Sequence, residues 1–276
     1  MELFAAAALG VVQGLSEFLP VSSSGHLILG RAMLGWDLGR FGLPFDVACH
    51  VGTLIAVVAF FARDVRAMTV ALPGALVGRA GEYERLVRLI AIGCLPLVPV
   101  VLLFMDVIES VRSPAVVAGT LAIGGVGLLL AERFGARRRT EDSITAFEAL
   151  LIGVAQASAL IPGVSRSGAT LTVAMLFGLR REGAARFVFL LSLPAVAGAA
   201  AKEGLELAGV GLEGVPVTLL LVGLGTSACV GYVTIRFFLR YLVSHSLAVF
   251  AYYRFALAAV TLLWLLTRGG GGALAR

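Results

Sequence analysis

Apolar residues run along this chain in blocks too long for a soluble core. Six of them, over residues 45–62, 89–105, 114–131, 187–201, 215–235 and 247–267, approach the length of a bilayer span, about 17–25 helical residues. The fourth is short as drawn and needs flanking residues to cross. Two further apolar stretches, 2–17 and 147–161, carry polar residues and stop at sequence rich in Pro, Gly and Ser. Each is followed by a second short apolar piece, near 26–36 and 168–178. Such interrupted pairs predict re-entrant helical hairpins over 2–36 and 147–178, entering the membrane and leaving on the same side. The fold class expected is an all-α integral membrane protein, one membrane domain over 1–276, with about six transmembrane helices and two re-entrant hairpins.

Composition strengthens this reading. The chain is 59% hydrophobic and 14% charged, with a mean hydropathy of +0.98, against about 45–50% and about 25% in soluble domains. A net charge of +5 would suit a nucleic-acid binder were the arginines clustered on one face. They lie instead in short connections between apolar runs, which reads as membrane orientation. Segments 63–88, 133–142, 180–186 and the stretch after the fifth span hold fourteen arginines, against six basic residues (Arg31, Arg40, Arg112, Lys202, Arg268 and Arg276) on the opposite side. The first set is expected in the cytoplasm, with both termini outside. Cys49, Cys94 and Cys229 stand singly in apolar runs and read as small buried hydrophobes. Met1-Glu2-Leu3 puts no basic residue ahead of the first apolar stretch, so no cleaved signal peptide is expected.

The chain repeats itself. Gly10–Leu27 reads GVVQGLSEFLPVSSSGHL, and Gly153–Thr170 reads GVAQASALIPGVSRSGAT. At a constant offset of 143, seven positions are identical: Gly10/Gly153, Val11/Val154, Gln13/Gln156, Val21/Val164, Ser22/Ser165, Ser24/Ser167 and Gly25/Gly168. Three spans between the copies put the second hairpin on the opposite side, as the arginine count also does. The expectation is an inverted-topology repeat, one copy over about 1–132 and the other over about 143–267, with the functional site at mid-membrane between them.

The copies differ where chemistry needs them to. Glu17, Ser23 and His26 in the first are Leu160, Arg166 and Ala169 in the second. Gln13 and Glu17, four apart, share a helix face; as hard oxygen donors they suit Mg²⁺ or Ca²⁺, or they form a polar stripe against a neighbour. A carboxylate at membrane depth favours the functional reading. Ser22, Ser23 and Ser24 precede a helix, so they are either phosphate donors or plain N-caps. Ser23 is the candidate nucleophile, with His26 or Glu17 taking its proton. Arg166 offers a rigid fork for phosphate oxygens, flanked by Ser165 and Ser167, with Gly163 and Gly168 allowing a ligand close to the backbone. The alternative for Arg166 is a structural salt bridge to Glu17. Asp46 and His50 read as polar residues satisfied within the first span rather than as catalysts. Arg254, after Tyr252 and Tyr253, reads as an interfacial anchor, with lipid-diphosphate contact as its alternative.

Two blocks, Gln13-Gly14-Leu15-Ser16-Glu17-Phe18-Leu19-Pro20-Val21-Ser22-Ser23-Ser24-Gly25-His26 and Pro162-Gly163-Val164-Ser165-Arg166-Ser167-Gly168, resemble the undecaprenyl-diphosphate phosphatases of the BacA/UppP type, linked to bacitracin resistance. Phe45-Asp46 and Tyr253-Arg254 extend the resemblance along the chain. It implies hydrolysis of undecaprenyl diphosphate to undecaprenyl phosphate and inorganic phosphate, with Mg²⁺ or Ca²⁺, to recycle the carrier lipid of peptidoglycan synthesis. It places the protein in the bacterial inner membrane with the site open to the outer face. It makes Glu17 the essential carboxylate, Ser23 the proposed nucleophile, His26 the motif histidine and Arg166 the essential arginine. Gln13 fills a motif position that the family writes as Glu or Gln, and against members with two carboxylates it removes one charge from the metal site. The partners expected are the lipid substrate and membrane lipid, with a homodimer left open and nucleic acid excluded. The rival is a polyprenyl-phosphate flippase or transporter, since inverted repeats with broken helices also build transporters.

Overall fold

The computed structural model describes residues 2–34, 41–210 and 216–267. The far end of the 2–36 hairpin, and Arg40, Arg268 and Arg276 of the charge count, lie outside the described residues. Twelve α-helices and one 3₁₀ turn account for nearly all of the described chain, and no strand forms in it. Six stretches are long and apolar enough to cross a membrane. These are α3 (Leu43–Phe60), α5 and α6 together (Glu82–Cys94 and Leu97–Ser110), α7 (Pro114–Phe134), α10 (Arg181–Val210, apolar over Arg181–Lys202), α11 (Val217–Ser244) and α12 (Ala248–Thr267). The chain is a multi-pass membrane protein.

Both hairpins form. Helix α1 (Glu2–Ser16) packs on α2 (Ser23–Leu34), and α8 (Ala146–Ser158) packs on α9 (Arg166–Leu176). Three of the candidate spans lie between them. With 15 and 13 residues, α1 and α8 rise about 22 and about 20 Å, short of the roughly 30 Å hydrocarbon core. Helix α8 starts on a capping box, Thr145 with Glu148. Arg139 forks onto the Glu148 carboxylate and also donates to Phe177 O at 2.9 Å. This tie joins the two ends of the second hairpin at its arginine-rich margin, and it holds the Glu148 carboxyl at about 2.

Four boundaries differ from the hydropathy reading. The fourth span begins at Arg181, not 187, because its charged first turns are neutralised in place. Arg186 donates to Asp64 Oδ1 at 2.7 Å and to Glu141 Oε1 at 2.9 Å, and Arg181 forks onto Glu132. The second span reaches Glu82 and Ser110 but is interrupted at Leu95-Pro96, since proline lacks the N–H that would continue the ladder. The fifth span runs on to Ser244, so Arg236 and Arg240 are exposed residues of α11 rather than of a loop. Segment 63–88 is not a loop either. It folds into α4 (Ala62–Leu76) and the start of α5, and Arg63 and Arg66 lie on α4's exposed face.

Helix α11 is the beam on which α1 and α3 rest. The contacts are made close by small residues: Gly10 and Gly14 on α1, Gly52 on α3, and Gly223, Ser227 and Gly231 on α11. A Cβ on Gly14 would sit 2.9 Å from the Ser227 carbonyl, and one on Gly52 only 2.1 Å from Ser227 Oγ. Ser227 Oγ donates to Cys49 O at 3.0 Å. Without a hydrophobic driving force between lipid-embedded helices, such close backbone packing with interhelical hydrogen bonds is what holds them together. The first turn is seated by Phe18, 2% exposed, edge-on to Phe189 with ring centroids 5.7 Å apart.

Candidate active site

The turns at the two hairpin tips are built alike. Ser22 and Ser165, related by the 143-residue offset, both take positive φ, 74° and 58°. That conformation is costly for a residue with a side chain. In exchange each hydroxyl accepts from the backbone N–H three residues on, Gly25 and Gly168, at 3.2 Å. Each also contacts the second serine after it, Ser24 at 3.4 Å and Ser167 at 3.3 Å. Ser22 and Ser165 are therefore buried caps; for Ser22 this is the second of the two readings its sequence allows, and for Ser165 it replaces the expected phosphate contact. Ser167 Oγ donates to Leu19 O at 3.0 Å and ties one turn to the other.

This leaves Ser23 and Arg166, equivalent in the repeat, as the side chains pointing into the space between the tips, with Glu17 between them. Ser23 Oγ donates to Glu17 Oε2 at 2.7 Å. Gln13 Nε2 donates to the same oxygen at 3.1 Å, and Arg166 Nη2 donates to Oε1 at 2.9 Å. The Glu17 side chain is 6% exposed and that of Arg166 24%. Arg166 thus makes the salt bridge to Glu17 that the sequence offered as its structural alternative. Nη2 is the guanidinium nitrogen that Glu17 engages, and part of the Arg166 side chain stays open. His50 stands within electrostatic reach of Glu17, and Asp46 is paired with Arg31, which also donates to Phe41 O at 2.7 Å.

Three sequence expectations change. His26 does not meet Ser23. Its Nδ1 is 2.7 Å from Ser22 O, so that nitrogen carries the proton, and its Nε2 accepts from Tyr253 OH at 2.7 Å. The partner of the Ser23 hydroxyl is Glu17. Gly163 and Gly168 serve packing rather than approach to a ligand. A Cβ on Gly163, at φ 89°, would lie 2.0 Å from Thr120 Oγ1, and one on Gly168 would press on the Arg254 guanidinium at 3.1 Å. Arg254 is no interfacial anchor. It is wholly buried, and its guanidinium donates to four carbonyls: Leu121 at 3.0 Å, Thr120 at 3.1 Å, Gly163 at 3.1 Å and Pro20 at 3.2 Å. Pro20 and Gly163 are again a repeat pair, so one side chain on α12 pins equivalent points of both turns. Thr120, donating to Pro162 O at 2.6 Å, was missed, and so was the contact of Tyr253 with His26, although Tyr253 itself carried part of the resemblance. Nothing in their spacing marks them, because each acts across more than forty residues of chain.

The sequence profile of the family described as Bacitracin resistance protein BacA matches residues 6–260. The chain belongs to this family. It is 50% identical over 264 residues to a protein of Rubrobacter xylanophilus named undecaprenyl-diphosphatase, covering 94% of this chain and 97% of that one. Proteins with the same name from Geobacter metallireducens and Moorella thermoacetica are each 43% identical, covering 94% and 96% of this chain and 97% and 99% of their own lengths. The BacA match spans every residue of the two turns and reaches Arg254.

Proposed function

We propose that this chain hydrolyses undecaprenyl diphosphate to undecaprenyl phosphate and inorganic phosphate in the bacterial inner membrane, recycling the carrier lipid and conferring bacitracin resistance. The flippase reading is not favoured, since the relatives carry an enzyme's name over their full length. The observation that carries the reaction is the contact of one carboxylate, Glu17, with a hydroxyl on one side and a guanidinium on the other.

In this reading the diphosphate enters between the tips and exchanges its oxygens for Glu17 on the free donors of Arg166. Ser23 Oγ attacks the terminal phosphorus while Glu17 Oε2 takes its proton. The bond to the bridging oxygen breaks, and undecaprenyl phosphate leaves with that oxygen. Water then attacks the phosphoserine, Glu17 returns its proton to Ser23 Oγ as the bond from phosphorus to Oγ breaks, and inorganic phosphate departs carrying the protons of the water. Arg166 stabilises the charge spread over the transferring phosphoryl. His26 contributes by holding the Ser22 carbonyl, and so the turn that aims Ser23.

Gln13 and Glu17 fit a divalent cation in a limited way. Gln13 Oε1 is buried with no hydrogen-bond partner, and turning the amide over aims it at the carboxylate side. The described residues include no group of three or more His, Cys, Asp or Glu. One carboxylate and one amide oxygen beside phosphate oxygens is a Mg²⁺-like mode of binding rather than an all-protein cage. Bound Mg²⁺ or Ca²⁺ there would supply charge that offsets the diphosphate.

The arginine asymmetry supports an inverted repeat whose site opens to the outer face. Glu17, Ser23 and Arg166 all come from one chain, so the chemistry does not need a homodimer. The test is phosphate release from undecaprenyl diphosphate by the purified protein in detergent, with and without EDTA. Release that EDTA abolishes supports both hydrolysis and the cation. Release indifferent to EDTA removes the cation alone, and no release from folded protein removes the hydrolase.

A further inference from the structure

Helix α6 stands apart from the bundle. It packs on α8 and makes no comparable contact with α10, although the two run side by side along one groove. The space left between them holds about 480 Å³. Its walls are hydrocarbon, Leu97, Val101 and Met105 from α6 and Ala195 and Gly198 from α10. Val98 and Leu102, on its rim, are exposed toward the lipid side. The inner end is closed by Cys94 and Leu160. Leu160 takes the place that Glu17 holds in the first hairpin, and Cys94 lies within electrostatic reach of Arg166. The outer end meets Glu109, Arg112 and Lys202. From Leu97 to Glu109 the helix rises about 18 Å, a little over half of a hydrocarbon core about 30 Å thick.

We infer that this groove between α6 and α10 holds the isoprenoid chain of the substrate, beginning at Leu160 beside the diphosphate and running toward the charged rim. The inference rests on the hydrolase reading above. A diphosphate drawn down to the hairpin tips leaves its first isoprene units in a polar opening unless an apolar path starts there. The groove is such a path: it begins at Leu160, the repeat partner of Glu17, has apolar walls as far as its charged rim, and is open along one side. The asymmetry of the repeat then has a use. Glutamate in the first copy meets the phosphate, and leucine at the matching place in the second meets the chain.

Gly198 gives a clean test, because it lines the groove and a Cβ there would meet nothing within 4 Å, so Gly198→Leu adds bulk to the groove from an open position. Gly225 on α11 is equally open and provides Gly225→Leu as a control. The readout is the ratio of kcat/KM for undecaprenyl diphosphate over geranyl diphosphate, whose two isoprene units would fill least of the groove. The ratio should fall about tenfold in Gly198→Leu, the scale of an apolar pocket's discrimination, and hold in Gly225→Leu. An unchanged ratio in Gly198→Leu overturns the inference, whether or not overall activity drops. So does an unchanged ratio accompanied by a change from two chains to one in the detergent particle, which would make the groove a subunit interface. Photolabelling with a benzophenone-bearing prenyl diphosphate reads the groove without turnover. Label on α6 and α10 supports the inference even if the wild type releases no phosphate, which would sink the hydrolase reading alone; label confined to other helices overturns it.

Discussion

At the scale of residues, the site is an ion pair with a hydroxyl added. Glu17 is shared by Ser23 and Arg166, so each variant has its own signature. Arg166→Lys keeps the charge and loses the fork. It should lower kcat/KM about 100-fold, near 2.7 kcal/mol of transition-state binding, with little change in melting temperature. Ser23→Ala should stop phosphate release and also stop any ³²P from staying on the protein after a quench. Labelled wild type together with an inactive Ser23→Ala supports the phosphoserine, whereas a turning-over Ser23→Ala excludes it. The meeting of Glu17, Ser23 and Arg166 was legible because the two copies of the repeat diverge at these positions and agree around them. The role of Ser22 was legible only as one of two alternatives, since a cap and a phosphate donor use the same hydroxyl before the same helix, and the matching cap at Ser165 was not read. Arg254 was misread for a physical reason. An arginine after two tyrosines has the composition of a membrane interface, and only the carbonyls gathered from α7 and both turns make its burial tolerable.

At the scale of elements, hydropathy found every span and misplaced the ends at which charges are neutralised by partners far along the chain. Arg186 belongs to α10 because Asp64 and Glu141 receive it, and no local window contains either. The small-residue seam between α1 and α11 bears directly on the site, since α1 carries Gln13 and delivers Glu17. Gly14→Ala should destabilise the protein by about 1–3 kcal/mol through overpacking against α11. Because the shift moves α1, activity should fall at temperatures where the protein is still folded. A Gly14→Ala protein with unchanged melting and unchanged turnover would mean that the seam has slack.

At the scale of the whole molecule, the polar margin of the second hairpin carries a pH dependence that the buried site does not need. The Glu148 carboxyl, held at about 2 by Arg139, lies below its ordinary value of 4.5. Its contribution to stability is therefore complete above that ordinary value and is lost as pH falls toward 2. Glu148→Gln keeps a residue able to close the capping box but loses the ion pair with Arg139, so it should lower the melting temperature at neutral pH by an amount worth about 0.5 kcal/mol and should flatten the acid limb of a melting curve taken against pH. Identical acid limbs in wild type and variant would show that this tie is idle. Arg254 acts at the same scale, though it is one side chain. It sits on α12, the last helix among the described residues, and grips carbonyls of both hairpin turns, so Arg254→Met should leave acceptors stranded at about 1–3 kcal/mol each. During synthesis the residues of the proposed site are made early, yet the bolt that fixes their spacing is made after all of them. A nascent chain that has inserted everything up to α11 already carries Glu17, Ser23 and Arg166, and it waits for α12 before it can work.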